Sequence, residues 1–233
     1  GIYIPGVAVF CYHSLMKYIL LTFLVLFATD LQAYSPVMTE TDKPFEEIVI
    51  SMNEEGQKQS YLGLLETYPH LYEFTLTEET VLQAQTRQRA EEGAYPVNLI
   101  LVSVHPDTYS ISEVARLNSP ISERTEDFVE SLGISVYESE WLEIELEPGL
   151  YRLEVSTPRN EDPYELNFGI DSVNNSYFGT FTTVWKVQHH FKYNWTQYFR
   201  STYVLYQIGI IILLGGFFYV IKMRKKRNAD TAA

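Results

Sequence analysis

The chain has 233 residues, 46% hydrophobic and 15% aromatic with 18 Tyr, a composition too apolar and too rich in rings for a disordered segment. Its net charge of −13 is unevenly placed: 11 of the 17 Lys and Arg but 28 of the 30 Asp and Glu fall between residues 34 and 202, so that stretch carries −17. Such a surface repels phosphate backbones and anionic headgroups, which disfavours nucleic-acid binding and leaves a basic partner open beside the plainer role of keeping the domain soluble.

Residues 1–15 (GIYIPGVAVFCYHSL) read as an extension upstream of a start at Met16. Residues 16–33 then supply the three parts of a secretory signal: Lys17, the apolar core Tyr18 to Ala28, and Ala33 at a cleavage point. That core is too short to span a bilayer. The rival reading is an uncleaved helix from about Ile2 to Phe27, interrupted by Pro5 and His13. The single cysteine, Cys11, precedes Met16, so the exported part would hold no disulfide, no thiolate metal site and no thiol nucleophile. It would also lack the usual cysteine acceptor of a bacterial lipoprotein anchor.

Residues 34–44 form an acidic leader, and residues 45–172 read as strands and turns. Apolar and polar residues alternate through Glu46 to Met52, Tyr61 to Glu66, Leu71 to Leu76, Thr80 to Thr86, Val97 to Val104, Trp141 to Leu146, Leu150 to Val155 and Tyr164 to Ile170. A period of two means sheets with one buried and one wet face, and the short spacing predicts a mainly β, antiparallel, jelly-roll-like sandwich. Glu78-Glu79, Pro106-Asp107, Glu147-Pro148-Gly149 and Asn160-Glu161-Asp162-Pro163 suit the turns. Ile121 to Leu132 carries helical spacing at Ile121, Phe128, Val129 and Leu132, which predicts a short helix or a long loop.

Residues 173–202 form an aromatic juxtamembrane stalk, in which Val184, Trp185, Gln188, Phe191, Trp195, Tyr198 and Phe199 recur at three- and four-residue steps among Lys186, Lys192 and Arg200. This predicts an amphipathic helix lying on the membrane surface or continuing the anchor outward. His189 and His190 are neighbours in that helix and point apart, which argues against a joint metal or pH-sensing site. Asn174-Asn175-Ser176 and Asn194-Trp195-Thr196 are glycosylation triplets that matter only in a eukaryotic host. Residues 203–221 (YVLYQIGIIILLGGFFYVI) are uncharged and long enough to cross a hydrocarbon core of about 30 Å. Lys222, Arg224, Lys225, Lys226 and Arg227 follow in residues 222–233, which by the positive-inside rule puts the tail in the cytoplasm and the sandwich outside.

The order of these elements resembles the bacterial pre-peptidase C-terminal domain. The resemblance rests on Leu62 to Glu66 before Leu71-Tyr72-Glu73-Phe74-Thr75-Leu76, on Thr80 to Thr86 and Val97 to Val104, and above all on Pro148-Gly149-Leu150-Tyr151 through Val155 followed by Pro163-Tyr164-Glu165-Leu166. The last pair is similar to the family's closing hairpin. The resemblance spans roughly residues 45–170 and departs from the pattern at the longer Ser112 to Glu140 segment. It implies a β-sandwich with an accessory role and carries over no catalytic residues.

Chemistry-bearing residues are sparse. Glu143, Glu145 and Glu147 share one strand face and are the candidate calcium ligands, against the plainer reading of a wet sheet face. His70 and His105 with Ser103 and Asp107 offer a hydrolase set only if the fold gathers them. No phosphate loop, dinucleotide fingerprint or zinc signature is present. The expected function is a single-pass, non-catalytic accessory module, with a periplasmic domain on a bacterial inner membrane, presenting an acidic sandwich to a protein partner. The alternative is a divergent hydrolase or a calcium-dependent carbohydrate-binding membrane protein.

Overall fold

The computed structural model describes residues 36–41, 43–51, 59–118, 124–169 and 179–232. The signal, the upstream extension and the Asn174 triplet lie outside the described residues. Twelve strands are described: β1 (Val37–Thr39), β2 (Glu47–Ile50), β3 (Gln59–Leu64), β4 (His70–Leu76), β5 (Thr80–Arg89), β6 (Asn98–Val104), β7 (Ile111–Leu117), β8 (Thr125–Val129), β9 (Ile134–Glu138), β10 (Leu142–Leu146), β11 (Gly149–Ser156) and β12 (Pro163–Phe168). Helix α1 (Gly179–His190), a 3-10 helix (Trp195–Arg200) and helix α2 (Thr202–Ala232) follow.

The strands pair into two sheets, a β-sandwich as the alternation predicts. One sheet runs β1-β3-β12-β5-β9-β8 with β10 also against β5, and the other runs β2-β4-β11-β6-β7. Strand β5 is long enough to hold β10 along Thr80 to Ala84 and β9 along Arg87 to Arg89. Most pairs are antiparallel, but β1 joins β3 and β2 joins β4 in parallel, so both sheets are mixed. Strand β1 lies within the acidic leader, where the sequence offers only three residues of strand.

Each central strand shows why it forms. In β11, Tyr151, Leu153 and Val155 point into the core while Arg152 and Glu154 point out, and in β12 Tyr164, Leu166 and Phe168 do the same. The inward faces meet in a core containing Tyr61, Tyr72, Phe74, Leu99, Leu101 and Leu153. Phe74 stacks on Tyr151 and takes Phe168 edge-on at 5.2 Å. Burying each such side chain contributes about 1.5–3 kcal/mol before chain entropy is charged against it.

Three expectations are corrected. The predicted closing hairpin is an arch: β11 pairs only with β4 and β6, and β12 only with β3 and β5, so consecutive strands lie in opposite sheets. Both strands feed one core, and alternation alone does not distinguish a hairpin from an arch. The crossing turn is held by reciprocal bonds, Thr157 N to Asn160 Oδ1 and Asn160 N to Thr157 Oγ1, each 2.9 Å. The predicted helix near Phe128 is instead the β8/β9 hairpin, because Leu132, Ile134 and Val136 are needed on the outer face of the β12 sheet. Ile121 itself lies outside the described residues. The Ser112 to Glu140 segment is not all helix or loop: Ile111–Leu117, which runs into its start, adds an edge strand to the β11 sheet.

Candidate functional site

The joint between sandwich and C-terminal helix is built on that outer face. Leu62 of β3, Ile134 and Val136 of β9, and Leu132 from the β8/β9 turn form an apolar patch on the side away from the main core. Val184 and Val187 of α1, Phe191 just after it and Val204 of α2 cover it, and all eight side chains are buried. The helical spacing read from the sequence is therefore real, but the side of the helix that carries Val184, Val187 and Gln188, with Phe191 after it, is packed on the sheet and is not free to lie on a membrane. The segment does not stand off the domain as a stalk.

Polar contacts fix the joint. Gln188 Nε2 donates to the Leu132 carbonyl at 2.6 Å, and Ser201 Oγ donates to the Ser131 carbonyl at 2.5 Å. Thr202 donates its backbone N–H to the Glu130 carbonyl at 3.0 Å. Tyr193 donates its hydroxyl to the Ser135 carbonyl while its ring lies under the Arg89 guanidinium. Gly133 has φ +68, and the Arg200-Ser201 backbone just before α2 presses against it so closely that a β-carbon there would sit 2.5 Å from Ser201 N.

Beneath α1 lies a buried charge cluster. Glu165 is fully buried; it accepts from Ser60 Oγ at 2.7 Å, and Arg87 Nη1 lies 4.0 Å from its other oxygen. Arg87 Nε is bonded to Glu138 at 2.6 Å, so one guanidinium serves two carboxylates. His190 donates Nε2–H to the Tyr164 carbonyl at 3.0 Å, and burial holds its pKa below the ordinary histidine value. His189 instead lies flat against Trp185, so the adjacent histidines serve different surfaces.

A second polar array sits inside the core. The Leu62 carbonyl can only accept, so Thr39 Oγ1 donates to it, and the direction of the rest follows. Tyr72 donates to Thr39 at 3.1 Å, Tyr164 donates to Tyr72 at 2.7 Å, and His70 Nδ1–H donates to Tyr164 at 2.7 Å. This leaves His70 Nε2 as acceptor for Thr41 Oγ1 at 3.4 Å. Burial pushes both tyrosine hydroxyls up and the His70 ring down in pKa, so all are held neutral. Gly63 makes room for this array: a β-carbon there would fall 2.4 Å from the Tyr164 ring.

The other sequence candidates are not brought together. Ser103 Oγ lies 3.4 Å from the Ser112 carbonyl and His105 Nδ1 accepts from the Asp107 N–H, while His70 is deep in the core, so no nucleophile and base meet. Glu143 and Glu145 lie exposed along β10, with Gln83 at 3.5 Å from Glu143. Among the described residues no three His, Cys, Asp or Glu side chains are grouped to hold a metal ion. Sequence reasoning missed the Glu165 cluster, whose signal is alternation alone, with the cover arriving from a helix further along the chain.

Fold and joint together define a two-sheet β-sandwich packed onto a helix, Thr202–Met223, that is long and apolar enough to cross a membrane. No family model matches the chain, and none of the curated proteins matches it. Among solved structures, the chain is similar to the pre-peptidase C-terminal domain of the collagenase from Bacillus anthracis, at 16% identity and TM-score 0.36 over 55% of this chain and 99% of that one. It is also similar to part of a β-glucosidase from Paenibacillus barengoltzii, at 14% identity and TM-score 0.26 over 60% of this chain and 14% of that one. The first is the family that Pro148 to Val155 and Pro163 to Leu166 resemble, while the sandwich assignment rests on the strand pairing itself.

Proposed function

We propose that the chain is a single-pass, non-catalytic accessory module that holds an acidic β-sandwich on the outer side of a bacterial inner membrane and presents it to a protein partner. The observation that carries this reading is the joint: the Leu62-Ile134-Val136 face is buried under α1 and the start of α2, which sets the sandwich at a fixed attitude to its anchor. A pre-set orientation lowers the ordering cost of binding, which suits a module that docks a partner. The basic residues that follow the span support an outward-facing sandwich. The charge of −17 between residues 34 and 202 favours a partner with a basic surface.

Two measurements test the reading. In a Cys11→Ser background, a membrane-impermeant maleimide is expected to label Tyr109→Cys in intact spheroplasts and Ala232→Cys only after lysis. Crosslinking in the native membrane is expected to capture a protein partner that is lost when Arg or Lys replaces surface acids such as Glu126 and Asp127. Reversed labelling, or turnover of a hydrolase substrate panel by the purified chain, would sink the proposal.

A further inference from the structure

Helix α1 has a second apolar side that the sandwich does not use. Phe181, Trp185 and Lys186 of α1 face Trp195, Tyr198 and Phe199 of the 3-10 helix across an open cleft of about 580 Å³. Trp185 is 52% exposed, Trp195 66% and Phe199 49%, so large rings stand in contact with solvent while smaller residues on the other side of α1 are buried. The rings are ordered against one another: Trp195 meets Phe199 edge-on at 6.0 Å, and Trp185 meets Tyr198 edge-on at 6.2 Å.

The cleft opens where the apolar helix leaves the domain. The 3-10 helix ends at Arg200 and the span begins at Thr202, whose first turn continues the exposed apolar surface through Leu205 and Tyr206. In a spanning chain this level is the headgroup region, where Trp and Tyr rings are favoured. Lys186 stands among the lining residues, and none of the ion pairs among the described residues includes it. An apolar slot with one available cation on a chain that is otherwise acidic fits an amphiphile with an apolar tail and an anionic head.

We infer that this cleft is a binding site for one phospholipid of the leaflet on the sandwich side, with an acyl chain lying along Trp185, Trp195 and Phe199 and the phosphate at Lys186. The inference rests on the membrane-spanning reading of α2 and adds a specific lipid site to it. A lipid held there fastens the domain at a second point beside the helix.

The test uses the full chain as the Trp141→Phe variant, so that Trp185 and Trp195 supply the emission, reconstituted in phosphatidylcholine and phosphatidylglycerol vesicles. Replacing these lipids by forms brominated in the upper acyl chain is expected to remove most of the emission, while aqueous acrylamide removes little. Native mass spectrometry from mild detergent is expected to show one retained phospholipid, lost in Lys186→Glu and in Phe199→Ala, both of which alter exposed side chains and leave the melting temperature unchanged. Strong acrylamide quenching without bromine quenching overturns the inference. Protection from both quenchers also overturns it, since a protein then covers the cleft. Bromine quenching with no retained lipid reduces the contact to ordinary bilayer surroundings and overturns the specific site. Extraction of the chain by alkaline carbonate is a different outcome, which removes the spanning reading itself.

Discussion

Gly133 and Ser201 approach so closely that the backbone of the β8/β9 turn and the first residue before α2 touch with no side chain between them. Gly133 also has φ +68, where a β-carbon is strained even in open space. Gly133→Ala therefore combines about 1 kcal/mol of backbone strain with about 1–3 kcal/mol for displacing packed backbone. The expected result is a fall in melting temperature of several degrees, roughly 2–4 °C for each kcal/mol, together with new proteolytic cleavage near Ser201. Gly93→Ala is the control, since Gly93 has φ +85 with nothing within 4 Å of its missing β-carbon. It is expected to lose only the strain component and to leave the joint resistant to protease.

The core relay predicts non-additive losses. Tyr164→Phe leaves the His70 Nδ1–H without its acceptor, and Tyr72→Phe leaves the Tyr164 hydroxyl without its own. Each is expected to cost about 1–3 kcal/mol, the penalty for an unmet buried donor. The double variant is expected to cost clearly less than the sum, because it removes a donor that one single change had stranded. Urea denaturation of the four proteins measures the coupling, and strict additivity would show that the hydroxyls act independently.

The same chemistry gives a pH dependence with a definite sign. His70 and His190 both have folded pKa values below 6.5 because burial disfavours the charged ring. The unfolded chain therefore binds more protons from about pH 6.5 downward, so the stability these rings contribute is fully present above 6.5 and is lost as pH falls through their folded values. The expected observation is a denaturation midpoint that drops between pH 7 and pH 5. His70→Asn and His190→Gln, which keep a donor at the position of Nδ1 and Nε2 respectively, are expected to flatten that slope while carboxylate titration continues in both.

How much of this could be read from residues depends on where the burying partner comes from. Strands β4, β6, β11 and β12 were legible because Tyr72, Leu101, Leu153 and Leu166 alternate with outward residues and share one core. Strand β7 was not, since Ile111 to Leu117 lies on a sheet edge and is mostly exposed, leaving little alternation to read. The stripe through Val184, Gln188 and Phe191 was visible and the Val187 beside it was not, but a helix face that fits a bilayer also fits a sheet. Its partners, Leu62 and Ile134, lie far back in the chain. The arch at Thr157 to Asp162 was hidden for a related reason: the turn residues are the same whether the chain returns in its own sheet or crosses to the other.

Glu165 sets the last prediction. Its strand alternates so regularly that the residue reads as part of a wet face, yet α1 buries it completely beside Arg87. Removing one member of a buried pair strands the other charge, at a cost of about 3–5 kcal/mol, whereas replacing both by neutral groups of similar size is often close to neutral. Arg87→Met is therefore expected to destabilise strongly, and to loosen α1 first, because Glu165 then seeks water through the α1 interface. Hydrogen exchange should show Val184 to Phe191 losing protection before β11 does. Adding Glu165→Gln to Arg87→Met is expected to recover most of the loss, since Ser60 can still donate to the amide oxygen. A double variant as unstable as Arg87→Met alone would place the role of Arg87 in its bond to Glu138 and not in neutralising Glu165.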